Sequence, residues 1–392
     1  MMDIHTHVHD KIGGYDLADT YESATKLAIL NGITTIYNFI TQSPDESLFT
    51  AIEKAEQKSK GNLFCNLGWH LTPTKFDAPA WEEINASISK GFTTFKFYTT
   101  YKDAGIFTSY EDLKIIAMQL KEKNVTILVH CEDEEILQQN AKNHDYSNPY
   151  SHTLMRPPEA EQAAIEKILQ IASETDAKFH IVHVSTVKGV ELIHSGKSNS
   201  QITCETAPHY FFLDESRLQE ETGHYYLCSP PLRSGKNREE LYKQAQDGLF
   251  DIFATDHCPF LKKDKDEHKE NIQKIPKGIA GLGALVPLIF RIYKGKRDAG
   301  IVEFSRRLST NPAKVVGLYP KKGIIKVGAD ADLVLLADGT QKRPIASSLA
   351  ETFEPYYDFT STLQIKFVLL DGKVVVENNL SFRSPVERDC KK

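Results

Sequence analysis

The sequence predicts an α/β chain folded as a (β/α)8, TIM-like barrel, with a small, incomplete β-sandwich built from its C-terminal segment. Three observations carry that expectation. Eight short β-rich runs recur over residues 1–257, separated by stretches of helical spacing. Glycine or asparagine often stands before the next run, the usual punctuation between helix and strand. No Gly-x-Gly-x-x-Gly follows the first run, so an open dinucleotide-binding sheet has little support. Eight alternating units fit a closed barrel better than a doubly wound sheet.

In order, the runs are "MDIHTH", "ITTIYNF" (33–39), "NLFCNLGWH" (62–70), "FTTFKFY" (92–98), "VTILVHCE" (125–132), "KFHIVHVS" (178–185), "QITCETAPHY" (201–210) and "DIFATDH" (251–257). Helical spacing covers 19–30, 44–59, 79–89, 109–122, 157–173 and 235–247. Residues 1–315 are assigned to the barrel and 316–392 to the C-terminal portion. There "GIIKVGADADLVLLADG" and "LQIKFVLLDGKVVVENN" carry hairpin signals at "ADGT" and "LDGK".

Of the 392 residues, 41% are apolar and 26% charged, ordinary proportions for a soluble globular chain. The formal net charge is −6 with no basic block, so no nucleic-acid partner is expected. The mixed run "FLKKDKDEHKE" reads as a solvated loop. Six cysteines occur singly, mostly in or beside apolar runs, which suits buried reduced thiols and a cytoplasmic location better than disulfides. No signal peptide opens the chain, and no run nears the roughly 18 apolar residues of a membrane helix, so no membrane partner is expected.

The opening "MMDIHTHVHD" places Asp3, His5 and His7 at alternate positions, on one face of an extended strand. Two imidazoles there can hold a divalent metal; a histidine pair at a terminus is also what an expression remnant leaves. Lys96 lies late in the fourth run, His130 ends the fifth, His183 sits near the end of the sixth and Asp256 ends the eighth. Barrel sites are built at the carboxyl ends of the strands, so these six groups would converge. Singly, each has an ordinary reading as a packing histidine, a snorkelling lysine or a turn aspartate. A lysine on an inner barrel strand, however, has no edge to snorkel from and needs a partner.

With these residues placed, the chain resembles the amidohydrolase superfamily, and within it the cyclic-amidohydrolase branch of hydantoinases, dihydropyrimidinases, allantoinases and dihydroorotases. The marks run from residue 1 to about 380: "DIHTH", "TTFKFYTTYK", "LVHCED", "RPPEAEQAAI", "HIVHVST", "ETAPHY", "SPPLR", "ATDHCPF" and "GIIKVGADADLVLL". The resemblance implies an enzyme that hydrolyses a carbon–nitrogen bond of a small cyclic amide. It implies two divalent metal ions, most often Zn2+, bridged by a lysine carboxylated on its side-chain nitrogen by carbon dioxide. Carried over, His5, His7 and Asp256 would bind one ion, His130 and His183 the other, and Lys96 would bridge them. A hydroxide shared by the ions would attack, and Asp256 would serve as general base and then acid.

"HTHVHDKIGG" and "LADTYESATKLAILNGITTIYNF" are nearest the hydantoinase and dihydropyrimidinase pattern. Tyr101 matches the tyrosine that hydrogen-bonds the developing oxyanion in those enzymes; its other reading is a loop residue packed on Phe107. Ser229 matches the residue that holds the ring amide. Lys277 stands where asparagine is usual, and would keep a main-chain contact while reshaping the rim. Gly283 lies near a usual acidic position. Dihydroorotases carry an arginine two residues after the His-x-His pair and an asparagine after strand two; here His9 and "FITQSP" stand instead, with Lys11 and Arg233 unplaced.

Dihydroorotase or allantoinase activity is one alternative. A mononuclear deaminase or acyclic amidase is another, though it would not need Lys96. A third is a non-catalytic oligomeric scaffold of the same fold, which would lack several of the six metal residues present here. The branch commonly forms dimers or tetramers, so a homo-oligomer is implied. Relatives also carry several dozen residues before the first strand; with two before Asp3, a smaller sandwich, an exposed edge and a less rigid His5–His7 pair are expected.

Overall fold

Every predicted run yields a strand in the computed structural model, which describes residues 1–61, 63–142, 144–378 and 381–382. The strands are β1 (Met2–Thr6), β2 (Thr35–Thr41), β3 (Asn66–Thr72), β4 (Thr94–Tyr98), β5 (Thr126–His130), β6 (Lys178–Ile181), β7 (Ile202–Thr206) and β8 (Ile252–Phe253). They pair in chain order, all parallel. The barrel closes where Thr6 lies opposite His257 and the His7 N–H donates to the His257 carbonyl at 2.7 Å. Parallel order puts every carboxyl end on one rim, where the site lies.

The six expected helices are present as α1 (Tyr21–Leu30), α2 (Leu48–Ser59), α3 (Ala78–Ser89), α4 (Tyr110–Leu120), α5 (Pro158–Thr175) and, after α6 (Val187–Gly196), α7 (Gly235–Gln246). Thr20, Ser47, Asp77, Ser109, Thr186 and Ser234 cap α1–α4, α6 and α7, each accepting from the N–H three residues on. The helix α6 and the later α8 (Leu285–Tyr293) escape the sequence reading. The first contains Gly189, an unpromising helix residue, yet a Cβ there would come within 2.9 Å of Glu161 and Ile165 on α5. Glycine lets the two helices approach. The second is an apolar run interrupted only by Pro287 and Arg291, and no side chain caps its start.

One continuous core joins the outer face of the barrel to the helices. Phe179 on β6 is 1% exposed within it. Phe179→Ala should cost about 3–5 kcal/mol, read as a lower urea midpoint without change in slope. The barrel interior is polar beneath the rim. His70 is fixed by the Ile4 carbonyl and Thr94 Oγ1, both at 2.7 Å, and burial pushes it down to about 3, so it stays neutral.

The C-terminal segment forms one antiparallel sheet among the described residues: β9 (Leu333–Pro344), β10 (Thr360–Leu370), β11 (Lys373–Glu377) and β12 (Ser381–Phe382). "LDGK" does turn, with Asp371 and Gly372 at φ 50° and 75°. "ADGT" does not; it lies within β9, where Thr362 Oγ1 donates to Asp338 Oδ1 at 2.6 Å from the neighbouring strand. Leu363, Ile365, Val368 and Leu370 pack this sheet into the main core.

Three further expectations need correction. The first strand is not loosely seated: every β1 residue is buried, and Thr34 N–H donates to the Met1 carbonyl at 2.8 Å. "FLKKDKDEHKE" is not all solvated, because Lys262–Asp266 is helical and buries Lys265. Its ammonium donates to the carbonyls of Gly278 (2.7 Å), Tyr225 (2.9 Å) and Leu227 (3.3 Å), so backbone dipoles replace water. Asp3 does not join the His5–His7 face; it accepts from the N–H groups of Thr255 (3.1 Å) and His5 (3.2 Å). Five cysteines are free and buried, whereas Cys390 lies outside the described residues. Among those residues no helix is long and apolar enough to cross a membrane.

Candidate active site

The rim gathers the six predicted residues from five strand ends. His5 leaves β1 with its Nε2 3.1 Å from Asp256 Oδ1, and His7, one residue past the strand, places Nε2 3.4 Å from the same oxygen. His130 ends β5 and faces His183 Nε2 through Nδ1 at 2.9 Å. His183 and Asp256 lie just beyond β6 and β8, at φ 37° and 50°. A left-handed backbone is costly for these residue types and concentrates at functional sites. Ligand-capable atoms of His5, His183 and Asp256 all fall within 4.8 Å of one another. Thus His183, expected beside His130 alone, adjoins both halves of the cluster.

Lys96 stands on β4, 1% exposed, with Nζ 4.9 Å from the Tyr98 ring and 5.5 Å from that of Phe39. Among the described residues it makes no hydrogen bond and has no carboxylate within 4.0 Å. Burial lowers it to about 8, while Glu205 and Asp256 pull the other way. His183 Nδ1 is likewise buried without a partner. An orphaned imidazole nitrogen and an unpaired amine, set among three further histidines and an aspartate, fit bound divalent metal; nitrogen and carboxylate donors of this kind suit zinc.

Burial alone would lower His5, but the Asp256 and Glu205 carboxylates raise it to about 9. Burial would raise Asp256, yet His5 and His7 hold it well below the usual carboxylate range. His130 is lowered to about 4 by burial, against the pull of Glu132. At neutral pH the site therefore presents an ionised Asp256 facing largely neutral imidazoles on the His130–His183 side.

A cavity of about 650 Å³ opens over this cluster, lined by Tyr101, Ser229 and Lys277 among others. Tyr101 sits at φ 71°, its N–H held by Glu134 Oε2 at 3.0 Å. Its ring lies 5.1 Å from that of His130 and under the Arg156 guanidinium, not against Phe107, whose ring Lys102 covers at 4.7 Å. Burial pushes the phenol up to about 12 although Arg156 opposes it, so it remains a proton donor. Ser229 Oγ meets His152 Nε2 at 3.4 Å. Lys11 reaches the mouth on a short ribbon and pairs with Asp16 at 3.6 Å. Arg233 stays outside the cavity lining, donating to Ser185 Oγ (3.0 Å) and the Arg156 carbonyl (2.5 Å). At Gly283 a Cβ would meet the Ala346 carbonyl at 1.9 Å, so no acidic side chain fits there.

Sequence reasoning missed the carboxylates behind the histidines. Glu205 binds His5 Nδ1 and accepts from His180 Nε2 at 3.1 Å; Glu132 accepts from His130 Nε2 at 2.7 Å and from Arg156 Nε at 3.1 Å. Metal-binding histidines commonly give their second nitrogen to such a group, and "ETAPHY" and "LVHCED" offered the candidates. Glu205→Gln is expected to weaken zinc binding about 10- to 100-fold, measured by chelator competition.

A parallel barrel with this rim is the architecture of an amidohydrolase, and the chain belongs to that family, whose model matches residues 1–375. Within it the chain lies in the hydantoinase-like, cyclic-amidohydrolase branch. It is similar to the D-hydantoinase of Geobacillus stearothermophilus, 32% identical over 391 residues that span 96% of this chain and 82% of that protein. The allantoinase of Escherichia coli (strain K12 / DH10B) is 29% identical over 394 residues, 97% and 85% of the two chains. The crystal structure of dihydropyrimidinase from Brevibacillus agri NCHU1002 superposes with a TM-score of 0.92 at 28% identity, covering 99% of this chain and 86% of that one. Family, branch and fold agree with the expectation from the sequence.

Proposed function

We propose that the chain hydrolyses a ring amide of the hydantoin or dihydropyrimidine type at a centre of two divalent metal ions. The observation that carries this reading is Lys96, a buried amine with no hydrogen bond or ion pair among the described residues, whose charge bears on His7, His130 and His183 of the rim. When bound, the two ions supply a water acidic enough to attack near neutral pH and polarise the ring carbonyl. An amine lowered to about 8 is neutral far more often at pH 7 than ordinary lysine. That form would add carbon dioxide and lose a proton, and the resulting carbamate would offer anionic oxygen donors to divalent metal.

Asp256, held ionised, takes a proton from the attacking water and returns it to the ring nitrogen as the C–N bond breaks. The phenol of Tyr101 donates to the carbonyl oxygen as charge grows there. Ser229 and the main chain at Lys277 orient the ring amide. Phe39 and Tyr98 line the cavity beside Lys96. Tyr101→Phe is expected to lower kcat about 10²- to 10³-fold, seen in steady-state kinetics with a smaller change in KM. We further assign residues 1–315 to the catalytic barrel, a reducing compartment to a chain with five buried thiols, and a homo-oligomer to the active form.

The test is a panel of hydantoin, dihydrouracil, allantoin and dihydroorotate with zinc-loaded protein. The highest kcat/KM should fall on hydantoin or dihydrouracil. Leadership by either of the others would overturn the ring assignment. Metal-loaded protein inert on all four would favour the scaffold.

A further inference from the structure

We infer that Arg156 positions the phenol of Tyr101, turning its O–H away from the guanidinium and toward the carbonyl under attack. This rests on the cyclic-amide reading above and deepens it by naming what holds the oxyanion donor. Arg156 lines the cavity, and its Nη2 donates to Tyr101 Oη at 3.4 Å. The guanidinium carbon lies 5.3 Å from the centre of the Tyr101 ring. A guanidinium has donors and no acceptor, so the phenol oxygen must accept in this contact. Its single proton is thereby left for another partner.

The guanidinium can impose that direction because it is itself held. Nε donates to Glu132 Oε1 at 3.1 Å and Nη2 to Glu132 Oε2, a two-point pairing that fixes the plane of the group. Glu132 is fully buried and accepts from His130 Nε2 at 2.7 Å. The Arg156 main chain is fixed as well. Its carbonyl accepts from Arg233 Nη1 at 2.5 Å, Arg233 Nε donates to Ser185 Oγ at 3.0 Å, and the Ser185 N–H donates to the buried Glu161 at 3.0 Å.

Tyr101 is pinned from its other end too. Glu134 Oε2 takes the Tyr101 N–H at 3.0 Å and so supports a left-handed backbone at φ 71°. One constraint acts on the main chain and the other on the hydroxyl. Charge adds to direction: burial raises the phenol, and Arg156 leads the groups that oppose it, with Ser229 acting the same way. A fixed dipole beside a cation is what a preorganised oxyanion donor requires. The run "RPPEAEQAAI" thus supplies a residue that the sequence reading left without a role.

The test is a double-mutant cycle on hydantoin and dihydrouracil, with the parent, Arg156→Met, Tyr101→Phe and the double variant assayed at limiting and saturating zinc. At saturating zinc Arg156→Met should lower kcat about 10- to 100-fold, the scale of one charge-assisted hydrogen bond, with a smaller change in KM. In the Tyr101→Phe background the same substitution should cost about twofold or less, because the hydroxyl it orients is already gone. Equal losses in the two backgrounds, or a loss that disappears as zinc is raised, overturn the inference and leave Arg156 as a brace for Glu132 and His130. The cycle is repeated with Arg156→Lys, which keeps a cation for Glu132 but lacks the fork that spans carboxylate and phenol; a misfolded Arg156→Met therefore does not remove the test. A parent inert on every cyclic amide removes the cyclic-amide reading, and the phenol is then read directly by NMR of ζ-13C-tyrosine, the Tyr101 resonance being the one lost in Tyr101→Phe. Movement of that resonance in Arg156→Lys upholds the inference, and an unmoved resonance overturns it.

Discussion

Lys96→Ala is expected to abolish turnover of every cyclic amide tested, by about 10⁴-fold or more, and to cut bound zinc from about two equivalents per chain to one or none. The barrel should survive the change. Among the described residues Lys96 makes no hydrogen bond that the fold would miss, and removing a buried amine unpaired among them relieves desolvation. Far-UV circular dichroism and the thermal midpoint of the metal-free variant should therefore match those of the metal-free parent or exceed them. Loss of activity with intact folding separates a role in the centre from a role in packing. Full turnover by Lys96→Ala on dihydrouracil or hydantoin would exclude the binuclear scheme.

Asp256→Asn is expected to lower kcat about 10²- to 10⁴-fold, the usual worth of a positioned proton carrier. Its Oδ1 sits against both His5 and His7, so the amide keeps one oxygen for that contact and loses the ability to accept a proton. The effect should fall mainly on kcat. Zinc binding should weaken as well, because the amide removes an anionic donor from the cluster of His5, His183 and Asp256. Assays at saturating zinc isolate the chemical defect: a variant restored to parental kcat by added zinc would show that Asp256 only holds metal.

The barrel was legible because its signals are local. Alternation of β-rich and helical spacing, with Gly32, Gly91 and Asn124 before strands, needs no tertiary knowledge. The convergence of these side chains on one rim was legible because a barrel converts strand order into a shared end, so position along each strand stood in for position in space. What escaped depended on contacts between distant segments. Gly189 reads as a helix breaker until Glu161 and Ile165 are seen against it. Lys265 reads as solvated until three backbone carbonyls surround it. "ADGT" has the composition of a turn, but pairing with β10 keeps it in a strand. Glu205 and His5 are 200 residues apart, and no local rule joins them.

The most direct measurement is anomalous diffraction from crystals of the zinc-loaded chain, collected on both sides of the zinc edge. Two peaks about 3.5–4 Å apart are expected, one beside His5, His7 and Asp256 and the other beside His130 and His183, with carboxylate density continuing from Lys96 Nζ between them. No peak among these side chains, or Lys96 turned away from them as a bare amine, would contradict the account.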